Sequence, residues 1–233
     1  MKIFRLLSLL LVVLLASCLN KKKSADTGMP GNESRYVVLA YVTSWGVSTP
    51  ETSCLTHINY AFGHVADDNK GIRIDNEPRL QMIVGLKKEK PSLKVLLSVG
   101  GWGSSRFSEM AANDSTRTAF AADCRRVIDK FGLDGIDIDW EYPGSGTAGI
   151  SFSSADKENF TLLMRDVRQA VGKDKLLTIA TAATGRYYDF RAIEPYVDYV
   201  NIMAYDMEEA PFHHAALHCS DMTEEWSCEK AVA

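Results

Sequence analysis

The stretch Asp134-Gly-Ile-Asp-Ile-Asp-Trp-Glu141 constrains this chain more than any other. Its acidic and apolar residues alternate with a period of two, the period of a β-strand. Asp137, Asp139 and Glu141 fall on one face, and Ile136, Ile138 and Trp140 on the other. Successive carboxylates on such a face are roughly 6–7 Å apart. The apolar face suits contact with helices, and the acidic face must then look into a barrel interior or along a cleft. Three like charges in a partly dry site do not all ionise cheaply, so at least one is expected to keep a proton near neutral pH. A carboxylic acid held protonated beside ionised neighbours is a general acid. Glu141, at the C-terminal end of the strand, is the one placed to reach a substrate. Two plainer readings fit less well. A solvent-facing edge strand has no need of Trp140 and two isoleucines behind it, and a straight row of acids converges poorly on a divalent cation.

The rest of the chain alternates strand-like and helix-like segments. Short apolar runs fall at Tyr36–Val42, Thr56–Phe62, Lys94–Ser98, Gly135–Trp140, Leu177–Ala180 and Tyr199–Ala204. Between them, Leu80, Ile83, Val84 and Leu86 sit at helical spacing, closed by Pro91. Thr116 to Phe131 carries Phe120, Cys124, Val127, Ile128 and Phe131 on one face, with Gly132 suited to the position after a helix end. Phe160, Leu163, Met164, Val167 and Val171 repeat the pattern; Ser153 and Asp156 resemble a capping box before it, and Gly172 stops it. Strand–helix alternation predicts an α/β fold of parallel strands with crossover helices, either an open doubly wound sheet or a barrel. No glycine-rich phosphate loop follows the first strand, which disfavours a nucleotide-binding sheet. Gly100-Gly101 follows the third strand and lacks the third glycine. With 46% hydrophobic and 24% charged residues and a net charge of −4, the chain is neither disordered nor a multi-span membrane protein. No basic face appears beyond Lys21–Lys23, so nucleic acid is not an expected partner.

The N-terminus reads as an address. Lys2 and Arg5 precede an apolar run, Leu6 to Ala16, that is too short to span a bilayer and has the shape of a secretory signal. It ends in Leu15-Ala16-Ser17-Cys18, which resembles a bacterial lipobox; residues 1–17 would be removed and Cys18 lipidated. Residues 18–34 read as a flexible tether, and a catalytic domain is expected over 35–233. The expected location is outside the cytoplasm, periplasmic or at the cell surface, with acyl chains as a membrane anchor. Loss of Lys2 and Arg5 takes the net charge from −4 to −6. Export makes disulfides possible. Cys219 and Cys228 are close enough in sequence to close a small loop, whereas Cys54 and Cys124 are expected to be buried free thiols. His214, His218 and Cys219 lack a completing ligand, so no metal site is expected.

Asp134-Gly-Ile-Asp-Ile-Asp-Trp-Glu-Tyr-Pro143 resembles the signature of glycoside hydrolase family 18, the chitinases and their relatives. Ser98-Val-Gly-Gly-Trp102 upstream is similar to that family's S-x-G-G motif, and Met203-Ala-Tyr-Asp206 downstream to its M-x-Y-D motif. The likeness runs from about Tyr36 to the end. It implies a (β/α)8 TIM barrel of which about six strand–helix units are present, since only 27 residues follow Asp206 and none form a further apolar strand. The chain is therefore expected to be a fragment, or poorly active and unstable in this form. The resemblance implies substrate-assisted, retaining cleavage next to an N-acetylated sugar. Glu141 would protonate the leaving oxygen, and Asp139 would hold the acetamido N–H. Asp137 would share a proton with Asp139, and Tyr205 would aim the acetamido carbonyl. Asp206 would contact substrate or Glu141, and Met203 would line the substrate site. Trp102 would offer a face to a sugar ring, and Tyr41 and Ser98 would support the acids from behind. No cofactor is implied. The substrates implied are chitin or other N-acetylglucosamine-containing glycans. An endo-β-N-acetylglucosaminidase, or a catalytically impaired carbohydrate-binding protein, are the alternatives.

Overall fold

The computed structural model describes residues 36–223 and 225–233. The signal-like segment 1–17, Cys18 and the tether to residue 34 lie outside the described residues. Among the described residues there are seven strands: β1 (Leu39–Thr43), β2 (His57–Val65), β3 (Ile72–Ile74), β4 (Lys94–Gly100), β5 (Gly135–Asp139), β6 (Leu176–Ala182) and β7 (Tyr199–Met203). Six of them form a curled sheet in the order β1-β2-β4-β5-β6-β7, every neighbouring pair parallel. β3, absent from the sequence reading, is a three-residue strand antiparallel to the end of β2. It is too short to carry a periodic signal.

Helices α1 (Glu77–Gly85), α2 (Phe107–Ala111), α3 (Asp114–Phe131), α4 (Asp156–Val171), α5 (Phe190–Ile193) and α6 (Cys228–Val232) fill the connections. Their ends follow local chemistry. The Asn113 side chain accepts from Thr116 N–H to cap α3, and Gly132 closes it at φ 69°. Before α4 the Asp156 carboxylate accepts the Ser153 N–H at 2.8 Å, but Ala155 is the N-cap and the Ser153 hydroxyl accepts the Ala155 N–H, so the reciprocal capping box expected from Ser153 and Asp156 is not formed. Gly172 ends that helix.

The apolar face of β5 points where its alternation requires. Ile136, Ile138 and Trp140 are buried beneath the helices. Trp140 lies between Phe107 of α2, stacked at 5.3 Å, and Phe160 of α4 at 6.1 Å. Burying an indole this fully removes about 150–250 Å² from water, roughly 4–6 kcal/mol of gross hydrophobic stabilisation. The result is a half-barrel with helices outside and polar strand residues inside.

Two cysteine expectations need correction. Cys54 is exposed, because it sits in the loop before β2 and not in an element that packs on the helices. Cys219 and Cys228 are both free thiols. The Cys219 thiol faces the Ser227 hydroxyl at 3.4 Å, and Cys228 turns toward the Ala204 carbonyl. Cys124 is buried as expected, on the inner face of α3.

Candidate active site

The inner face of β5 carries the three acids, each in a different setting. Asp137 is fully buried and collects hydrogen bonds from four strands. Tyr41 Oη of β1 (2.9 Å) and Ser98 Oγ of β4 (2.8 Å) donate to Oδ2. Thr178 Oγ1 of β6 (2.6 Å) and Asn201 Nδ2 of β7 (3.1 Å) donate to Oδ1. Burial raises the Asp137 pKa, and the four donors hold it back.

Asp139, two residues on, is also buried, but its Oδ1 accepts no hydrogen bond. Burial, then the Glu141 charge, then the Asp137 charge push its pKa well above the usual carboxylate range. Glu141 stands at the mouth. Burial raises its pKa, and a hydrogen bond from the Tyr142 hydroxyl opposes the rise. The peptide bonds Ala61–Phe62 and Glu141–Tyr142 are cis.

Glu141 opens into a cleft of about 550 Å³ whose walls include Trp102, Tyr142, Met203, Tyr205, Asp206 and Trp226. Trp102 and Tyr205 are exposed there, at 63% and 52%, so both ring faces are available to a ligand. The loop behind Trp102 is built by Gly100 and Gly101 at φ 132° and 94°. A Cβ at Gly100 would lie 2.0 Å from the Asp139 carbonyl oxygen, and one at Gly101 would strike the Phe62 ring. The glycine pair at the end of β4 thus lets the tryptophan-bearing loop cross directly over Asp139. Asp206, in the left-handed region at φ 50°, pairs with His214 Nδ1 at 3.2 Å.

The structure brings Glu141, Trp102, Met203, Tyr205 and Asp206 together on one cleft, and sets Asp139 and Asp137 in line behind Glu141. Tyr41 and Ser98 reach Asp137 only. Both Asp137 oxygens are committed to other strands. Thr178, Asn201, Tyr142 and Trp226 escaped the sequence reading. Thr178 and Asn201 sit at inward positions of β6 and β7, so the period-two alternation that marked β5 marks them as well. Trp226 lies in the irregular segment before α6, held by Glu208 Oε1 accepting the N–H groups of Glu225 (2.7 Å) and Trp226 (3.3 Å), and nothing local in the sequence signals that placement.

A parallel half-barrel with an acid row aimed into a cleft at its C-terminal end is the framework of a barrel-type glycosidase. The model of the glycosyl hydrolases family 18 matches residues 37–233, and the chain belongs to that family. It is 33% identical over 223 residues to probable chitinase 2 of Drosophila melanogaster, covering 84% of this chain and 45% of that protein. The chitinase domain of the spore coat protein CotE from Clostridium difficile superposes with a TM-score of 0.81 at 34% identity, covering 89% of this chain and 62% of that one. A family 18 N-acetylglucosaminidase from Paenibacillus barengoltzii superposes with a TM-score of 0.78 at 38% identity, covering 84% and 63%. The chain spans less than half the length of the Drosophila relative.

Proposed function

We propose that this protein is a chitinase-type glycoside hydrolase that cleaves β-1,4 bonds between N-acetylglucosamine units by substrate-assisted, retaining catalysis. The observation that carries the reading is Asp139: a buried carboxyl with an unpartnered oxygen, lying behind a raised-pKa glutamic acid that lines an aromatic-walled cleft. Glu141 donates its proton to the leaving glycosidic oxygen and later takes one from the attacking water. The 2-acetamido carbonyl of the sugar attacks the anomeric carbon, so no protein nucleophile is needed. Asp139 accepts the acetamido N–H and balances the charge that develops there. Asp137 holds Asp139 in register through its own rigid web, with Tyr41 and Ser98 as its supports. Tyr205 donates to the acetamido carbonyl, Trp102 stacks on a sugar ring, and Met203 and Asp206 line the sugar.

Export and anchoring belong to the same proposal: residues 1–17 direct secretion, Cys18 carries the lipid, and 18–34 tether the domain begun at residue 35. Turnover of a chromogenic chitobioside, before and after Glu141→Gln, tests the catalytic reading. Loss of turnover with retained chito-oligosaccharide binding in the variant supports it. Binding without turnover in the unchanged protein sinks it in favour of a carbohydrate-binding role.

A further inference from the structure

The loop between β6 and α5 carries two adjacent tyrosines whose contacts bracket Glu141. Tyr188 is buried, and its hydroxyl donates to the Trp140 carbonyl at 3.0 Å, with the Ala180 carbonyl at 3.4 Å. The Tyr187 ring lies flat on Tyr142, 4.5 Å between centroids and 6° from parallel. Arg186 keeps Tyr187 in that pose: its guanidinium lies 4.8 Å from the ring centroid, and its Nη2 donates to the Tyr187 hydroxyl at 2.7 Å. One tyrosine therefore holds the carbonyl of the residue before Glu141, and the other holds the side chain of the residue after it. The Tyr142 hydroxyl, in turn, acts on the Glu141 carboxyl and opposes the rise of its pKa.

We propose that Tyr187 and Tyr188 are positioning residues for Glu141, acting from the β6–α5 loop through Tyr142 and the Trp140 carbonyl. This deepens the reading of Glu141 as the acid and rests on it. A catalytic acid must meet the leaving oxygen within hydrogen-bond reach, and small misplacements cost rate steeply. The end of β5 alone does not fix that geometry, because Glu141 lies beyond the last paired residue of the strand, Asp139. The stacked ring and the hydroxyl supply the missing constraint. The titratable groups around Glu141 are Asp139 from β5, Tyr142, Tyr188 from the β6–α5 loop, and Tyr205 and Asp206 after β7. Of these, Tyr142 favours the charged form of the carboxyl. Releasing Tyr142 removes that influence, and Glu141 then keeps its proton to higher pH.

The test follows two readouts in the full chain: kcat against pH on a chromogenic chitobioside, and the ¹³C-carboxyl NMR titration of Glu141, assigned by its loss in Glu141→Gln. Tyr187→Ala is expected to move the Glu141 titration upward, carry the alkaline limb of kcat with it, and lower kcat on the order of tenfold while KM changes little. Tyr142→Phe, which keeps the stack and loses only the hydroxyl, is expected to move the titration in the same direction. Tyr187→Phe loses the Arg186 hydrogen bond but preserves the stacked ring and its cation–π contact, and is expected to lie much closer to the unchanged protein than Tyr187→Ala. Tyr188→Phe is expected to lower kcat with KM held. A Glu141 titration that is the same in Tyr187→Ala and the unchanged protein overturns the proposal, as does a Tyr187→Phe variant as impaired as Tyr187→Ala. If the unchanged protein turns nothing over, the proposed activity falls, while the carboxyl titration still decides the positioning role.

Discussion

Replacing Asp139 by asparagine is expected to stabilise the protein at neutral pH while abolishing the proposed activity. Asp139 is 4% exposed, its Oδ1 has no donor, and Asp137 and Glu141 flank it on the same face. Burial first, then these two charges, hold its folded pKa well above its unfolded value of about 4. Between those two values the native state binds a proton that the unfolded chain has already lost. The stability Asp139 contributes is therefore whole below about pH 4 and is lost as the pH rises through its folded pKa. Across that window a single group contributes a slope of about −1.4 kcal/mol per pH unit. Asparagine has the same shape, carries no charge and does not titrate, and its amide can donate to the neighbouring carboxylates. Replacing a buried group that must either hold a proton above its ordinary pKa or carry an unpartnered charge is expected to gain about 1–3 kcal/mol at pH 8, with the gain shrinking toward pH 4. Asp137 and Glu141, whose pKa values are also raised, keep part of the slope in the variant. Urea unfolding followed by circular dichroism at pH 5, 6.5 and 8 measures this directly. A variant less stable than the parent at pH 8, or a stability difference independent of pH, would refute the reasoning.

Two further outcomes follow from the fold. Arg168→Ala is expected to cost about 2–4 kcal/mol, read as a lower thermal midpoint, because the guanidinium donates to the carbonyls of Tyr196, Gly172 and Lys175 and to Asp198 Oδ2, all within 2.7 Å, at the junction of α4 with β6 and β7; an unchanged midpoint would show that those carbonyls find water instead. A thiol reagent is expected to label Cys54 and Cys219 in the folded protein and to spare Cys124 until unfolding, since burial both blocks that thiol and raises its pKa; labelling of Cys124 at the rate of the exposed thiols contradicts the packing of α3 on the sheet.

The sequence made the strand order and the acid row legible for one physical reason: both are written as local periodicity. Alternation along residues 135–141 assigns Ile136, Ile138 and Trp140 to the helices and the acids to the interior, and helical spacing in 114–131 and 156–171 places the covering layer. What was not legible depends on chain segments that meet only in space. β3 pairs three residues against the end of β2. Cys54 is expected from the sequence to be buried, yet it lies exposed in a loop where its nearest neighbours, Leu55 apart, are polar. The Tyr187–Tyr142 stack joins positions 45 residues apart, and Trp226 reaches the cleft from an irregular segment.

The contrast between Asp137 and Asp139 follows from what the adjoining strands offer at each level of the barrel. The two side chains share a strand and a face, and both are buried. At the level of Asp137, its paired neighbours are Ser98 on β4 and Thr178 on β6, and Tyr41 and Asn201 reach in from the strands beyond. Each oxygen of that carboxylate is met by two side-chain donors. At the level of Asp139, the β4 partner is Gly100, which has no side chain and whose φ of 132° admits none, and the β6 position two residues beyond Thr178 is Ala180. The barrel wall thus supplies four donors to the lower acid and no side-chain donor from either neighbour to the upper one. A buried carboxylate without a donor is costly to the free protein, and the same vacancy makes an incoming N–H worth most there. The lower acid spends its hydrogen-bonding capacity on rigidity, and the upper one keeps it for a ligand. On the reading proposed above, that ligand group is the acetamido N–H of the substrate.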